Sequence, residues 1–332
     1  MNERIGYMLS SEEHSAPDLI RNAMRAEEAG FGAALISDHY HPWTDLQGNS
    51  PFVWSVIGAI SQVTERLRLG TGVTCPTMRI HPAVIAQAAA TAATMMPGRF
   101  FLGVGAGENL NEHVVGKVWP PPPIRLEMLE EAIEVIRLLW QGGTQSHRGQ
   151  YFVVDDARIY NLPEELPRIM VSAGGPAATR LAGGIGDGLV ATSPDRDQME
   201  IFRANGGPVK SAYGKLTVSW AKSEREARRV AHRHWPNEAM GSYKLDLRLP
   251  EDFEAVAAFV SEEDVANEVL CSPDPAQHVA AIQDYYDVGF DVVFVHQVGP
   301  DQEGFLRFYE RHVLPEFERV GALVAGGAKN AV

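Results

Sequence analysis

Apolar residues in this 332-residue chain fall into two alternating rhythms. Short runs rich in Val, Ile, Leu and Phe, such as AALI and FFLGV, interrupt stretches where apolar positions return every three or four residues. The first rhythm predicts strands at 4–9, 33–38, 67–74, 99–105, 168–173, 187–192, 214–220 and 291–297. The second predicts helices at 16–30, 52–64, 82–96, 124–141, 176–184, 196–204, 223–234, 275–288 and 303–318. Within 124–141, Leu126, Leu129, Ile133, Ile136 and Trp140 share one face, as expected of a helix packed on a core. Repeated strand-then-helix units require a parallel sheet, and eight of them are the number that closes a (β/α)8 TIM barrel. The alternative is an open doubly wound sheet. The expected fold class is therefore α/β, a TIM barrel with inserted segments. Those segments are 107–123, stiffened by WPPPP, a hairpin-like stretch at 144–163, and 236–272 between the last two units. Insertions of that length tend to be lids or interface elements. No linker divides the chain, so one domain is expected over 1–320, followed by a flexible tail at 321–332.

Composition narrows the function classes. The chain is 45% hydrophobic and 22% charged, as for a folded globular protein. Its formal net charge of −14 argues against nucleic acid as a partner. Two cysteines, Cys75 and Cys271, cannot form a disulfide framework and fit a reducing compartment. The N-terminus has no signal-peptide pattern, and HPAVIAQAAATAATMMPG is too short and too mixed to span a bilayer. A cytoplasmic protein that acts on a small molecule, away from membranes, is expected.

In a barrel, the residues just past each strand share one mouth. Asp38, His39 and Trp43 follow the second strand, and Thr74 and Cys75 the third. Gly107, Glu108 and Asn111 follow the fourth, SAGGPAATR the fifth, and Thr192 and Ser193 the sixth, while Trp220 and His296 belong to the last two. His39 is a candidate general base and Glu108 a partner acid. His41, two residues on in an extended chain, points away. The glycines and Pro176 of AGGPAATR open a helix whose free N–H groups suit phosphate. GVGAGE lacks the third glycine of a dinucleotide fingerprint. His-X-His invites a metal, but His147, His232, His234 and His278 sit on the insertion or on helices, so no ligand set is expected.

The stretches SDHYHPW, SPFVWSVIGAI, LGTGVTCPT, HPAVIAQAAAT, GRFFLGVGAGENLNEH, SAGGPAATRLAG, GDGLVATS and GFDVVFVHQVGPDQEGF resemble those of the luciferase-like flavin and deazaflavin oxidoreductases. Within that family the chain is most similar to the branch of coenzyme F420-dependent glucose-6-phosphate dehydrogenase. The resemblance implies a bacterial-luciferase-like TIM barrel, an 8-hydroxy-5-deazaflavin in its mouth, and a homodimer. It places His39 as the catalytic imidazole, Glu108 as the second acid–base group and Trp43 as the aromatic beside the reacting centre. Asp38, Cys75, Ala106, Gly107, Asn111, Gly174, Gly175, Ala177 and Ala178 match cofactor-contacting positions, and a cis peptide is implied at Gly72–Val73. Threonine often stands in the family where this chain has Cys75. Thr192 and Lys244 match two of the positions that hold a sugar phosphate, whereas Asp195 and Glu268 stand where basic residues are usual. Two carboxylates facing a dianion argue against glucose 6-phosphate. The implied activity is hydride transfer between the deazaflavin and a small alcohol, carbonyl or activated alkene. The alternatives are an FMN-dependent monooxygenase, a metal-dependent hydrolase and a non-catalytic ligand-binding barrel.

Overall fold

A strand buried on both faces is apolar throughout rather than alternating, and FGAALI has all six residues buried. A computed structural model of the chain describes residues 2–206 and 209–317. The expected tail at 321–332 lies outside them. Eight parallel strands run β1 (Asn2–Leu9), β2 (Phe31–Ile36), β3 (Arg68–Thr71), β4 (Phe100–Val104), β5 (Ile169–Ser172), β6 (Gly188–Ala191), β7 (Ser211–Ser219) and β8 (Val292–Gln297). Each pairs with the next, and β8 pairs with both β7 and β1, so the sheet closes into a TIM barrel. The third strand is shorter than the expected 67–74: it ends at Thr71, and Thr74 makes one bridge to Val104.

Alternate positions divide the strand side chains between two cores. Met8, Leu35, Phe101, Met170, Val190, Tyr213 and Phe294 point inward and fill the lumen. Ile5, Tyr7, Leu9, Ile36, Leu102 and Val293 point outward against the helices. Gly70 keeps the lumen packable, because a Cβ there would lie 2.1 Å from the Phe101 ring. The surrounding helices are α1 (Ala16–Ala29), α2 (Val53–Val63), α3 (Pro82–Met95), α4 (Pro122–Leu139), α5 (Pro176–Ile185) and α6 (Arg196–Gly206). The α1 helix starts where the Ser15 side chain accepts from Asp18 N–H and stops at Gly30, whose φ of 100° suits glycine.

Between β7 and β8 the chain leaves the barrel. There α7 (Glu224–His234), a 3-10 segment at Pro236–Leu245, α8 (Pro250–Ala257) and α9 (Glu262–Glu268) lead to Leu270–Cys271, which pairs beside β7. Ala227 and Ala231 of α7 pack with Trp235, Met240, Phe253 and Val265, and this small core rests on Trp43 and Leu110 of the rim. The helix at 223–234 thus belongs to a cap over one side of the mouth. The chain rejoins the outer layer with α10 (Pro275–Val288), and α11 (Gln302–Phe308) with a π turn at Tyr309–Val313 follows β8. The stretch at 144–163 holds an antiparallel hairpin, Gln145–Arg148 with Val153–Ala157. No helix among the described residues is long and apolar enough to cross a membrane.

Candidate active site

The inward register of the lumen continues past the strand ends and decides which side chains meet. Two positions beyond Ser37 on the β2 line stands His39, and two beyond Ser10 on the β1 line stands Glu12. His39 Nε2 lies 3.2 Å from Glu12 Oε1 and 3.5 Å from Glu108 Oε2. Its Nδ1 lies 3.2 Å from the His41 carbonyl. A carbonyl only accepts, so Nδ1 carries a hydrogen and Nε2 is the atom that exchanges a proton. Trp43 covers the imidazole, with ring centroids 4.9 Å apart. The expected convergence of His39, Glu108 and Trp43 is present.

The two carboxylates differ. Burial raises Glu108, against the pull of His39, Lys244 and Lys215, so its acid form persists above the ordinary carboxylate range. Burial would also raise Glu12, but His39 and the hydroxyl of Ser37 outweigh it and hold Glu12 ionised. Reasoning from the sequence missed Glu12. Its signal was the run SSEEH directly after the first strand, which shares the rim by the same rule that selected His39.

Other expected site residues take varied places. The Asp38 carboxylate is committed to the wall: Thr74 Oγ1 donates to it at 2.7 Å and Arg79 Nη2 at 2.7 Å. Asn111 works as a clamp, its Oδ1 accepting from Tyr40 N–H at 2.8 Å while its Nδ2 donates to Glu108 at 3.2 Å. His41 turns away, as expected, toward the Leu110 carbonyl and the His113 ring. Trp220 stacks on Phe308 and contributes to the outer core, not to the mouth. Thr192 is exposed at the rim and Lys244 half-buried. Asp195 is occupied elsewhere, since its Oδ1 accepts from Asp197 and Gln198 N–H at the start of α6.

The opposite side of the mouth is built from small residues. The Gly72–Val73 peptide is cis, where the resemblance implied it. Gly107 has φ +82°, and a Cβ there would sit 2.5 Å from the buried Cys75 Sγ, so Gly107 presents backbone alone beside the small side chain of Ala106. Around Gly174 and Gly175 an added Cβ would meet nothing within 4 Å. Gly175 caps α5 without a side-chain bond, and intrahelical donation begins at Thr179, leaving the N–H groups of Ala177 and Ala178 without an intrahelical acceptor. Trp43 Nε1 is buried with no partner. A bare backbone wall beside a helix N-terminus fits a flat ring system with a phosphate tail.

Two further groups meet at this mouth that no sequence spacing joined. Lys215 of β7 reaches Glu238 of the cap, Nζ to Oε2 at 3.7 Å. His296 Nε2 lies 3.1 Å from Glu13 Oε2, under the edge of the Trp235 ring.

A closed parallel barrel with an imidazole between two carboxylates on its C-terminal rim has the architecture of a TIM-barrel enzyme. Residues 2–292 match the luciferase-like monooxygenase family, and the chain belongs to it. It stands with the F420-dependent oxidoreductases of that family. It is 38% identical to the F420-dependent glucose-6-phosphate dehydrogenase of Microbacterium testaceum (strain StLB037), over 95% of this chain and 98% of that protein. It is likewise 38% identical to the enzyme of that name from Nakamurella multipartita, over 98% of each chain. Among solved structures, an F420-dependent secondary alcohol dehydrogenase in complex with an F420–acetone adduct superposes with a TM-score of 0.87 at 28% identity, covering 94% of this chain and 98% of that one.

Proposed function

We propose that this protein is a coenzyme F420-dependent oxidoreductase that interconverts a small secondary alcohol and its carbonyl, with His39 as the acid–base residue. The observation that carries the reading is His39 Nε2 held between Glu12 at 3.2 Å and Glu108 at 3.5 Å. The bound deazaflavin would supply a two-electron hydride acceptor or donor. Ala106, Gly107 and the Gly72–Val73 peptide would face its ring, and Gly174, Gly175, Ala177 and Ala178 its phosphate. Cys75 and Asp38 would act from behind, Cys75 packed under Gly107 and Asp38 holding Arg79.

In the oxidising direction His39 Nε2 takes the hydroxyl proton as the hydride leaves the same carbon, so the C–H and O–H bonds break and a C=O bond forms. Glu12 stabilises the resulting imidazolium, as an orienting carboxylate does in other acid–base sites. Glu108, whose acid form is favoured by burial, places a second proton-exchanging group beside Nε2. Trp43 shields the pair from water. In reverse, the imidazolium returns its proton to the carbonyl oxygen.

Glucose 6-phosphate, the sugar phosphate named for the relatives, fits this mouth poorly. Asp195 and Glu268 replace basic residues usual at the phosphate-holding positions, and of those positions only Thr192 and Lys244 are of the usual kind. The homodimer belongs to the same reading: α2 and α3 contain no charged residue, and light scattering should return twice the chain mass.

Cofactor titration tests the reading. Purified protein should bind F420 at micromolar levels and ignore FMN; binding of FMN alone would turn the reading to the monooxygenases. His39→Ala should lower turnover of secondary alcohols by about 10²–10⁴-fold while F420 binding stays within about twofold. Loss of cofactor binding in that variant would make His39 a structural residue instead.

A further inference from the structure

One carboxylate inside the mouth stands in the field of two lysines, Lys215 paired with it and Lys244 acting on it electrostatically. Lys215 points inward because it stands two positions beyond Tyr213, a lumen residue of β7. Its Nζ lies 3.7 Å from Glu238 Oε2 and 5.7 Å from the centroid of the Trp235 ring. Trp235 Nε1–H donates to the same carboxylate oxygen at 2.6 Å. Lys244, on the same 3-10 segment as Glu238, hangs 5.9 Å from the ring of Trp43, which in turn covers His39. The cluster is therefore continuous with the reacting centre. It is also sheltered, with the Lys215 and Glu238 side chains 18% and 15% exposed. Burial would push Glu238 up, but Lys215, Lys244 and the Trp235 N–H together bring it down to about 2, so it is ionised across the working range of pH.

Two ammonium groups in so sheltered a pocket would attract the anionic group of any substrate that enters. Here the chain supplies its own anion. We propose that Glu238 is a built-in counter-anion that fills the anion subsite of the substrate pocket, so that the enzyme accepts uncharged alcohols and carbonyls and excludes phosphorylated ones. A phosphate dianion arriving at Lys215 and Lys244 meets a carboxylate already paired with Lys215, and repulsion replaces the contact that would have held it. The idea rests on the reading that substrate reaches His39 through this mouth, and it deepens that reading by naming what sets the charge of the substrate.

The test is calorimetric titration with inorganic phosphate of cofactor-saturated protein. Wild type, Glu238→Gln, and Glu238→Gln combined with Lys215→Met are compared. The Gln variant should bind phosphate about tenfold or more tightly than wild type, the worth of one charge-assisted contact. The second substitution should remove the gain, which localises it. Binding no tighter than wild type, or a gain that survives Lys215→Met, overturns the proposal. If Glu238→Gln fails to give a native circular dichroism spectrum, Glu238→Ser is read by the same criteria. Because phosphate binding needs no turnover, the two ideas fail separately. A gain of phosphate binding in a protein that oxidises no neutral alcohol would leave the counter-anion standing and sink the hydride-transfer reading. An enzyme active on neutral alcohols whose variant gains nothing would do the reverse.

Discussion

The proton chemistry of His39 is set by what faces Nε2. Glu12 is the carboxylate 3.2 Å from that atom, buried, ionised and bonded by Ser10 and Ser37. Replacing it with Gln keeps the shape and removes the charge. Glu12→Gln should lower kcat/KM by about 10–10³-fold, within the span of general acid–base effects. A kcat/KM within about twofold of wild type would reduce Glu12 to a packing role. At this scale the sequence was legible wherever a residue followed a strand end, which is how His39, Glu108 and Trp43 came together. Glu12 obeys that rule too, but it stands after the first strand, where no residues were taken for the site. Lys215 and Glu238 do not obey it, since one lies within a strand and the other on the cap. Only the closed fold brings them to 3.7 Å.

Elements are held in place by a few carboxylates whose partners are backbone N–H groups. Glu131 of α4 accepts from Gln150, Tyr151 and Phe152 N–H and lies 3.1 Å from His147 Nε2, so one side chain ties the whole hairpin to the barrel. Burial opposes its charge, but the Phe152 N–H and His147 prevail and hold its pKa below the usual value. A carboxylate depressed in the folded state contributes stability above its unfolded pKa, and this is lost as pH falls through the folded value. Glu131→Ala should cost about 3 kcal/mol, the worth of charge-assisted bonds and of donors left unpaired. Hydrogen exchange checks it: amides of 145–157 should lose protection while those of β1 and β8 keep theirs. The hairpin was legible because its strands and turn are adjacent in sequence. The helix at 223–234 was legible as a helix but not as part of the cap, because amphipathic periodicity says that a face is buried and not what buries it. Its partners, Phe253 and Val265, arrive more than two turns later in separate helices.

Closure of the barrel makes its stability a property of the whole chain, since β8 must return to β1 across nearly the full sequence. That seam is backed by α10 and the closing helical segment, which meet at His278. The ring is fully buried: its Nε2 donates to the Ser272 carbonyl at 2.9 Å and its Nδ1 accepts from the Tyr309 hydroxyl at 2.9 Å. That pattern uses a neutral imidazole, and a second ring proton would face a phenol that now donates. Burial lowers its pKa despite the opposing Ser272 carbonyl and Asp274, and burial lowers His14 and His234 as well. The unfolded chain, with histidines near about 6.5, therefore binds more protons than the folded one. Stability is fully present above that value and is lost as pH falls toward the folded-state pKa values. Glu108 and Glu112 act in the opposite sense, because their raised pKa values relieve a cost on acidification. The lowered carboxylates Glu12, Glu131 and Glu238 act in the same sense as the histidines. The melting temperature should be lower at pH 5.5 than at pH 7.5, each kcal/mol lost being worth roughly 1–2 °C in a chain of this size. His278→Gln keeps a donor and an acceptor but cannot titrate, so it should lower the melting temperature at both pH values and narrow the gap between them. An unchanged gap would show that the acid sensitivity of the seam lies in other groups.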